Sequence, residues 1–254
     1  MKKNKMPLVS IITPSFNSND FISETIDSVI NQSYKNWELL IIDDCSTDNS
    51  VDIIQKYLEK DSRIKLFVNN KNSGAAVSRN FGLLKSCGRF ISFIDSDDLW
   101  EPLKLEIQIN FMLYNNCPIS FTNYKLIDEK GVSLNKTIKV VKEIDYYGYL
   151  KNTIIGMSTS MIDLTKTENF EFKNIRTRQD TYLWITLLKR GLIAHGLNTT
   201  LVNYRVRKDS ISANKYKAAK QVWKLYYNLE KLGLIKSTYY FIYYISNAIK
   251  KRTL

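Results

Sequence analysis

The first hundred residues alternate short apolar runs with stretches whose apolar positions recur every three to four residues. That alternation is the mark of βαβ units and a mostly parallel sheet, an α/β fold. Val9 to Thr13 predicts a first strand. Asp20 is placed to cap a helix that buries Phe21, Ile22, Thr25, Ile26, Val29 and Ile30, which share one helical face. Trp37 to Ile42 predicts a second strand, Ser50 to Glu59 a helix, Lys65 to Val68 a third strand, Ala75 to Ser86 a helix and Phe90 to Ile94 a fourth strand. Beyond Pro102 the pattern loosens. A helix from Leu103 to Tyr114 precedes a hairpin around Asp128 to Gly131, then irregular segments and a helix from Asp180 to Lys189. Two short strands follow, Ile193 to Leu197 and Leu201 to Val206.

The polar material is concentrated where the strands end: Pro14-Ser-Phe-Asn17 after the first, Asp43-Asp44 after the second and Asp95-Ser-Asp-Asp98 after the fourth. Ligands of open α/β sheets bind beyond the carboxyl ends of the strands, because loops and helix N-termini converge there. Three strand ends therefore predict one acidic, polar site.

Composition bounds the picture. A chain of 254 residues with 44% hydrophobic positions can bury a substantial core, which excludes a disordered or fibrous protein. The net charge of +12 is unevenly placed: from Arg205 onward twelve basic residues face only Asp209 and Glu230, so the first 204 residues are nearly neutral. A neutral body with a basic tail suits an anionic membrane surface better than nucleic acid, for which no recognition motif is present. Cys45, Cys87 and Cys117 are widely spaced and odd in number, so neither a disulfide framework nor a zinc cluster is predicted, which fits a reducing compartment. The segment Met1-Lys-Lys-Asn-Lys-Met-Pro7 is not followed by the apolar stretch of a secretory signal, and no run approaches the roughly 18 apolar residues that a spanning helix needs. The expected location is cytoplasmic, peripheral at the inner face of the plasma membrane.

Carboxylates crowded at a strand end repel one another unless a cation neutralises them, and oxygen-rich sites suit magnesium or manganese; a lone Asp-x-Asp can equally be a solvated turn that caps the next helix. The surrounding sequence bears on that choice. Val9-Ser-Ile-Ile-Thr-Pro-Ser-Phe-Asn17, Ile41-Ile-Asp-Asp-Cys-Ser-Thr-Asp48, Asn72-Ser-Gly-Ala-Ala-Val-Ser-Arg-Asn80 and Phe93-Ile-Asp-Ser-Asp-Asp-Leu-Trp100 follow one another in order. Arg178-Gln-Asp-Thr-Tyr-Leu-Trp184 and Tyr204-Arg-Val-Arg-Lys-Asp-Ser-Ile-Ser212 continue the series more weakly. Together they resemble the family-2 inverting glycosyltransferases of the GT-A fold, of the bacterial surface-polysaccharide (O-antigen or capsule) type.

The resemblance implies a Rossmann-like, mostly parallel central sheet flanked by helices in residues 1–212. Residues 1–100 would be the nucleotide-sugar-binding half and 101–212 the acceptor-binding half, followed by a basic, aromatic helical tail in 213–254. It implies that Pro14, Ser15, Phe16, Asn17 and Asp44 hold the nucleoside; a pyrimidine ring N–H suits the Asp44 carboxylate, so a UDP-sugar is favoured. Arg79 would neutralise the diphosphate or clamp the acidic loop, an ordinary structural ion pair being the alternative; Asp95 and Ser96 would bind the rest of the donor, and Asp97, ahead of Asp98, a Mn2+ or Mg2+ ion on the diphosphate. Asp180 matches the family's base; without the resemblance it reads as a helix N-cap. The acceptor implied is a lipid-diphosphate-linked glycan, with no nucleic acid as partner.

Two positions depart from the family. Gln179 stands where a Glu is usual, and Arg207 where a His is common, so a guanidinium replaces a metal ligand and is expected to clamp diphosphate. Those departures keep open a second reading, a noncatalytic nucleotide-sugar- or lipid-binding protein. His195 reads as structural. In the tail, Ala219, Val222, Trp223, Tyr226 and Leu229 form one stripe, and Thr238 to Ile249 is rich in Tyr, Phe and Ile between basic residues, as in an interfacial helix. Packing of the tail onto the catalytic domain is the alternative.

Overall fold

The computed structural model describes residues 6–207 and 215–253. In chain order the first half comprises β1 (Val9–Ser15), α1 (Ile22–Ile30), β2 (Trp37–Asp43), α2 (Ser50–Leu58), β3 (Ile64–Val68), α3 (Ala75–Lys85) and β4 (Phe90–Phe93). Strand β2 is buried at every position, as a parallel strand covered on both faces must be. The order β3-β2-β1-β4 is parallel throughout, with Val9 opposite Trp37 on one side and Phe90 on the other. The chain therefore reverses its direction of travel across the sheet at β1, and the carboxyl ends of β1 and β4 flank the crevice where ligands of such sheets bind.

The second half contains β5 (Leu99–Trp100), α4 (Lys104–Tyr114), β6 (Ile119–Ile127), β7 (Ser133–Ile138), β8 (Glu143–Ile144), α5 (Tyr146–Lys151), β9 (Met161–Asp163), α6 (Gln179–Lys189) and β10 (Ala194–Arg205). The sheet continues from β4 through β9, β6 and β10 to β5, with β7 on β6 and β8 on β10. Strand β9 runs antiparallel to both neighbours, so the sheet is mixed in this half. The two strands expected between Ile193 and Val206 are one strand, β10; irregularities between Leu197, Thr200 and Val202 absorb the polar interruption that suggested a break.

Alternate side chains of the strands feed two cores. Ile12, Leu40, Ile42 and Phe93 pack with Trp184 and Leu188 of α6, while Val9, Ile11, Leu39 and Ile41 pack with Ile22, Ile26 and Ile54. Burying each such aliphatic side chain contributes about 1.5–3 kcal/mol. Gly82 lets α3 lie close on the sheet: a Cβ there would meet Ile12 Cγ2 at 2.5 Å. At α1 the expected cap is not made; Phe21 occupies the N-cap position and no side chain caps the helix.

The tail forms α7 (Lys215–Lys224), a π-helical turn (Leu225–Leu229) and α8 (Gly233–Thr253). Its expected membrane-facing stripe is corrected in part. Val222 and Tyr226, with Leu225, are buried in the same core cluster as Phe93 and Trp184, and Tyr226 Oη donates to Leu150 O at 2.6 Å. Helix α8 docks through Asn247 Nδ2, which donates to Lys151 O at 3.0 Å, and through the Trp223–Phe241 ring contact. Its outer side leaves Ile235, Tyr239, Ile242 and Ile249 exposed. Among the described residues no helix is long and apolar enough to cross a membrane. The expected boundary at residue 212, with Lys208 to Ser212, lies outside the described residues.

Candidate active site

A cavity of about 580 Å³ opens at the carboxyl ends of β1 and β4, lined by Pro14, Ser15 and Phe16, by Asp44, by Ala75 and Arg79 of α3, and by Asp95, Ser96 and Asp97. Its far wall carries Tyr124, Tyr149, residues 153–159 and 176–181, Tyr204, Arg207 and, from the tail, Gln221. The structure thus brings together Pro14, Ser15, Phe16, Asp44, Arg79, Asp95, Ser96, Asp97, Asp180 and Arg207, which the sequence placed in one site.

Asp44 is 3% exposed and held by its neighbours. Its Oδ1 accepts from Asn69 Nδ2 at 2.8 Å and Ser73 N at 3.0 Å, and its Oδ2 from Gly74 N at 2.6 Å. Gly74 has φ +91°, which favours glycine, and so aims its N–H at the carboxylate from the start of α3. A carboxylate offers about four lone-pair directions, so one remains for a ligand. Asn17 is a correction. It is not part of the cavity lining; its Oδ1 accepts from Thr47 N at 2.9 Å and its N–H donates to Ser46 Oγ, with φ +46° turning it into that loop.

The acidic turn is divided among different tasks. Arg79, almost wholly buried, donates from Nη2 to Asp95 Oδ1 at 2.6 Å. The Gln179 amide accepts from Arg79 Nη1 at 3.0 Å and donates to Ile175 O at 2.8 Å. The amide at this position thus fixes the arginine that fixes Asp95, a link with no signal in the sequence. Asp97 lies 3.4 Å from Arg207 Nη1, and its carboxyl is pushed above the usual range by burial and then by the charge of Asp95. Asp98 is the second correction. It is 1% exposed and absent from the cavity lining, and its oxygens accept from Ser158 Oγ at 2.5 Å and from Arg205 N at 2.9 Å. Burial, then Asp97 and Asp95, raises its pKa well above the ordinary value. Asp98 is a buried post of the turn, with both of its oxygens held by the protein.

Two posts escaped the sequence reading. Ser158 accepts from Asp95 N, donates to Asp98 and offers its carbonyl to Trp100 Nε1 at 2.8 Å. Arg205, with no exposed side-chain surface, donates from Nε to Asp97 O at 2.8 Å, from Nη1 to Glu129 O at 2.9 Å and from Nη2 to Glu24 Oε2 at 2.6 Å. In the sequence Arg205 is one charge between Tyr204 and Val206, and only the fold reveals its burial and its partners.

Asp180 does not cap α6. Arg178 is the N-cap, in the left-handed region at φ +61°, and Asp180 sits in the first turn and lines the cavity. Tyr149 beside it is wholly buried and its hydroxyl is held well above its usual pKa by burial and then by Asp180. Tyr124 is pushed up to about 12 by burial and then Asp98, so it stays a neutral donor across the physiological range. His195 lies outside the lining, 3.5 Å from Glu143.

No group of three or more His, Cys, Asp or Glu side chains suited to a metal occurs among the described residues. The residues present nonetheless fit a hard divalent ion. Magnesium is commonly bound through one or two carboxylates together with substrate phosphates, and Asp97 is a cavity carboxylate whose charge burial and Asp95 oppose and a cation would offset.

Comparison with known proteins shows the family and the fold. Residues 10–183 match the family described as "Glycosyl transferase family 2". The chain is 48% identical over 249 residues, 98% of its length and 99% of the relative's, to a Bacillus subtilis protein, TuaG, named as a teichuronic acid biosynthesis glycosyltransferase. It is 41% identical over 246 residues, 96% of its length and 94% of the relative's, to an Escherichia coli protein, WfgD. That relative is named as a UDP-Glc:alpha-D-GlcNAc-diphosphoundecaprenol beta-1,3-glucosyltransferase. The fold is shared with the Pyrobaculum calidifontis mannosyltransferase PcManGT, solved with GDP-Man and Mn2+, at a TM-score of 0.69 and 17% identity, covering 91% of this chain and 66% of that one.

Proposed function

The chain belongs to glycosyl transferase family 2 and has its GT-A fold, and on that premise we propose an inverting transfer from a UDP-sugar to a hydroxyl of a lipid-diphosphate-linked saccharide, in the synthesis of a bacterial surface polysaccharide. The observation that carries the reading is one cavity holding Asp44, the Asp95–Asp97 turn and Asp180. The relatives' names support the donor and acceptor classes.

Asp44 takes the uracil N–H with its remaining lone pair, and the half-exposed Phe16 ring covers the base. Asp95, fixed by Arg79, faces the ribose or the transferred sugar with Ser96. Asp97 would hold a Mn2+ or Mg2+ ion together with donor phosphate oxygens, and Arg207 contacts the diphosphate. Such an ion, when bound, offsets the charge that grows on the departing UDP. The acceptor oxygen attacks the anomeric carbon from the face opposite the phosphate, Asp180 accepts its proton, and the carbon–phosphate oxygen bond breaks. The exposed side of α8, with Ile235, Ile242 and Ile249 one above another and Lys236 beside them, rests on an anionic membrane surface.

Calorimetry with UDP, GDP and dTDP, each with and without manganese, tests the donor site; manganese-dependent preference for UDP is expected, and no nucleotide binding would overturn it. Mass-spectrometric assay of UDP-glucose with a synthetic GlcNAc-diphosphate lipid tests the transfer. For the membrane, I235S/I242S should release the protein from phosphatidylglycerol vesicles, and unchanged binding would refute the role of α8.

A further inference from the structure

Four arginines line the cavity, and they fall into two classes. Arg79 and Arg207 are paired with Asp95 and Asp97. Arg176 and Arg178 have no carboxylate partner among the described residues; the one hydrogen bond of the Arg178 guanidinium is a 3.5 Å contact from Nη2 to Ala218 O of α7. Two uncompensated guanidinium groups facing a polar cavity attract an anion, and their planar forks match phosphate oxygens in pairs.

Their position says which anion. Arg207 is taken up with Asp97, the residue proposed to meet the donor's diphosphate, whereas Arg176 and Arg178 share the segment that carries Asp180. Arg178 lies two residues before Asp180, and the Tyr149 hydroxyl feels both charges, Asp180 raising its pKa and Arg178 lowering it. A base must face the acceptor, so the charges beside it face the acceptor too. The same wall is completed by Gln221 of α7, and α7 leads into α8 with its exposed apolar side. A lipid-borne anion thus enters along the tail.

Resting on the reading of the acceptor given above, we propose that Arg176 and Arg178 grip the diphosphate of the lipid-linked acceptor, so that the hydroxyl presented to Asp180 belongs to the sugar joined directly to that diphosphate. Arg178 and Asp180 stand two residues apart at the start of α6, so the group gripped by the one adjoins the hydroxyl that faces the other.

The test has two arms. In the first, an alkyl diphosphate and inorganic pyrophosphate are titrated into protein saturated with UDP and manganese. The alkyl diphosphate should bind the wild type at least about tenfold more tightly than R176A/R178A, and R178K should recover part of the loss. Equal binding to wild type and double variant, or equal preference for pyrophosphate, would overturn the proposal. In the second arm, KM is measured for GlcNAc-diphosphate-alkyl and for the matching O-alkyl glycoside. The double variant should raise the first KM about tenfold to a hundredfold, leaving the second acceptor and UDP affinity unchanged. Equal loss on both acceptors, or weakened UDP binding, would assign the arginines elsewhere. If the wild type binds the alkyl diphosphate but glycosylates neither acceptor, the transfer reading fails while the arginine site stands.

Discussion

The two walls of the cavity are made by different means. The wall proposed for the donor is backbone: β1, β2 and β4 end side by side because each is an all but fully buried strand of a parallel sheet, and Pro14 within β1, Asp44 after β2 and Asp95 after β4 are carried to the crevice by those strands. The opposite wall is assembled from distant segments, 153–159, 176–181, Tyr204, Arg207 and Gln221, tied by buried polar posts such as Ser158, Arg205 and Gln179. Where strands set the geometry, trimming one side chain removes that side chain's contact. Where a post sets it, trimming the post moves several groups together.

The largest expected effects separate the walls by what is lost. Asp180→Asn should lower kcat by about 10²–10⁴-fold with UDP affinity intact, whereas Asp97→Ala should lose transfer and manganese-dependent UDP binding together. Normal turnover by Asp180→Asn would remove it as the base. Next in size, Arg205→Met should cost on the order of 3 kcal/mol, because the carbonyls of Asp97 and Glu129 lose their buried donor. By calorimetry its melting temperature should fall by roughly 6–12 °C, with kcat falling as the turn relaxes. If stability falls while kcat and UDP affinity hold, the post is structural only and the contrast between the walls is weaker than drawn.

A smaller effect lies at the foot of the donor wall, where Glu38 accepts from Ser10 Oγ, Cys87 N and Lys65 Nζ. Burial alone would raise its pKa, but these donors hold it below 4.5. A depressed folded-state value stabilises the protein fully above the ordinary pKa, and that stability is lost as the pH falls through the depressed value. Melting temperatures from pH 7 to pH 3 should therefore decline less steeply for Glu38→Gln; parallel curves would show that Glu38 contributes nothing to acid sensitivity. The smallest expected change is at Phe16, whose ring is 46% exposed. Phe16→Ala should raise the donor KM about fivefold at unchanged kcat, as the loss of one contact worth about 1 kcal/mol.

The same division decided what could be read from the sequence. Strand and helix periodicities located β1 to β4 and α1 to α3 to within a residue or two, since the buried runs of β1, β2 and β4 and the one-sided apolar faces of the helices leave a strong signal. They carried Asp44, Arg79, Asp95 and Asp97 into the site. Asp98 was misassigned because composition cannot tell which of two adjacent carboxylates a tight turn directs inward. Asn17 failed for a related reason, its backbone turning toward Thr47. The stripe through Val222 and Tyr226 was visible as an apolar face, but a stripe does not name what covers it, and here the covering surface is the core around Trp184. Strands β5, β8 and β9 are two or three residues long, too short to show any period.

The bond from Arg205 N to Asp98 crosses 107 positions of the chain. During synthesis β1 to β4 leave the ribosome together and can pair while the rest is unmade, bringing Asp44 to the mouth of the crevice. The acidic turn has to wait. Its partners Ser158 and Arg205 emerge 60 and 107 residues after Asp98, and Gln221 later still. A growing polypeptide can therefore have Asp44 in place before the acidic turn is fixed, so the two ends of the crevice are completed at different times in the life of the chain.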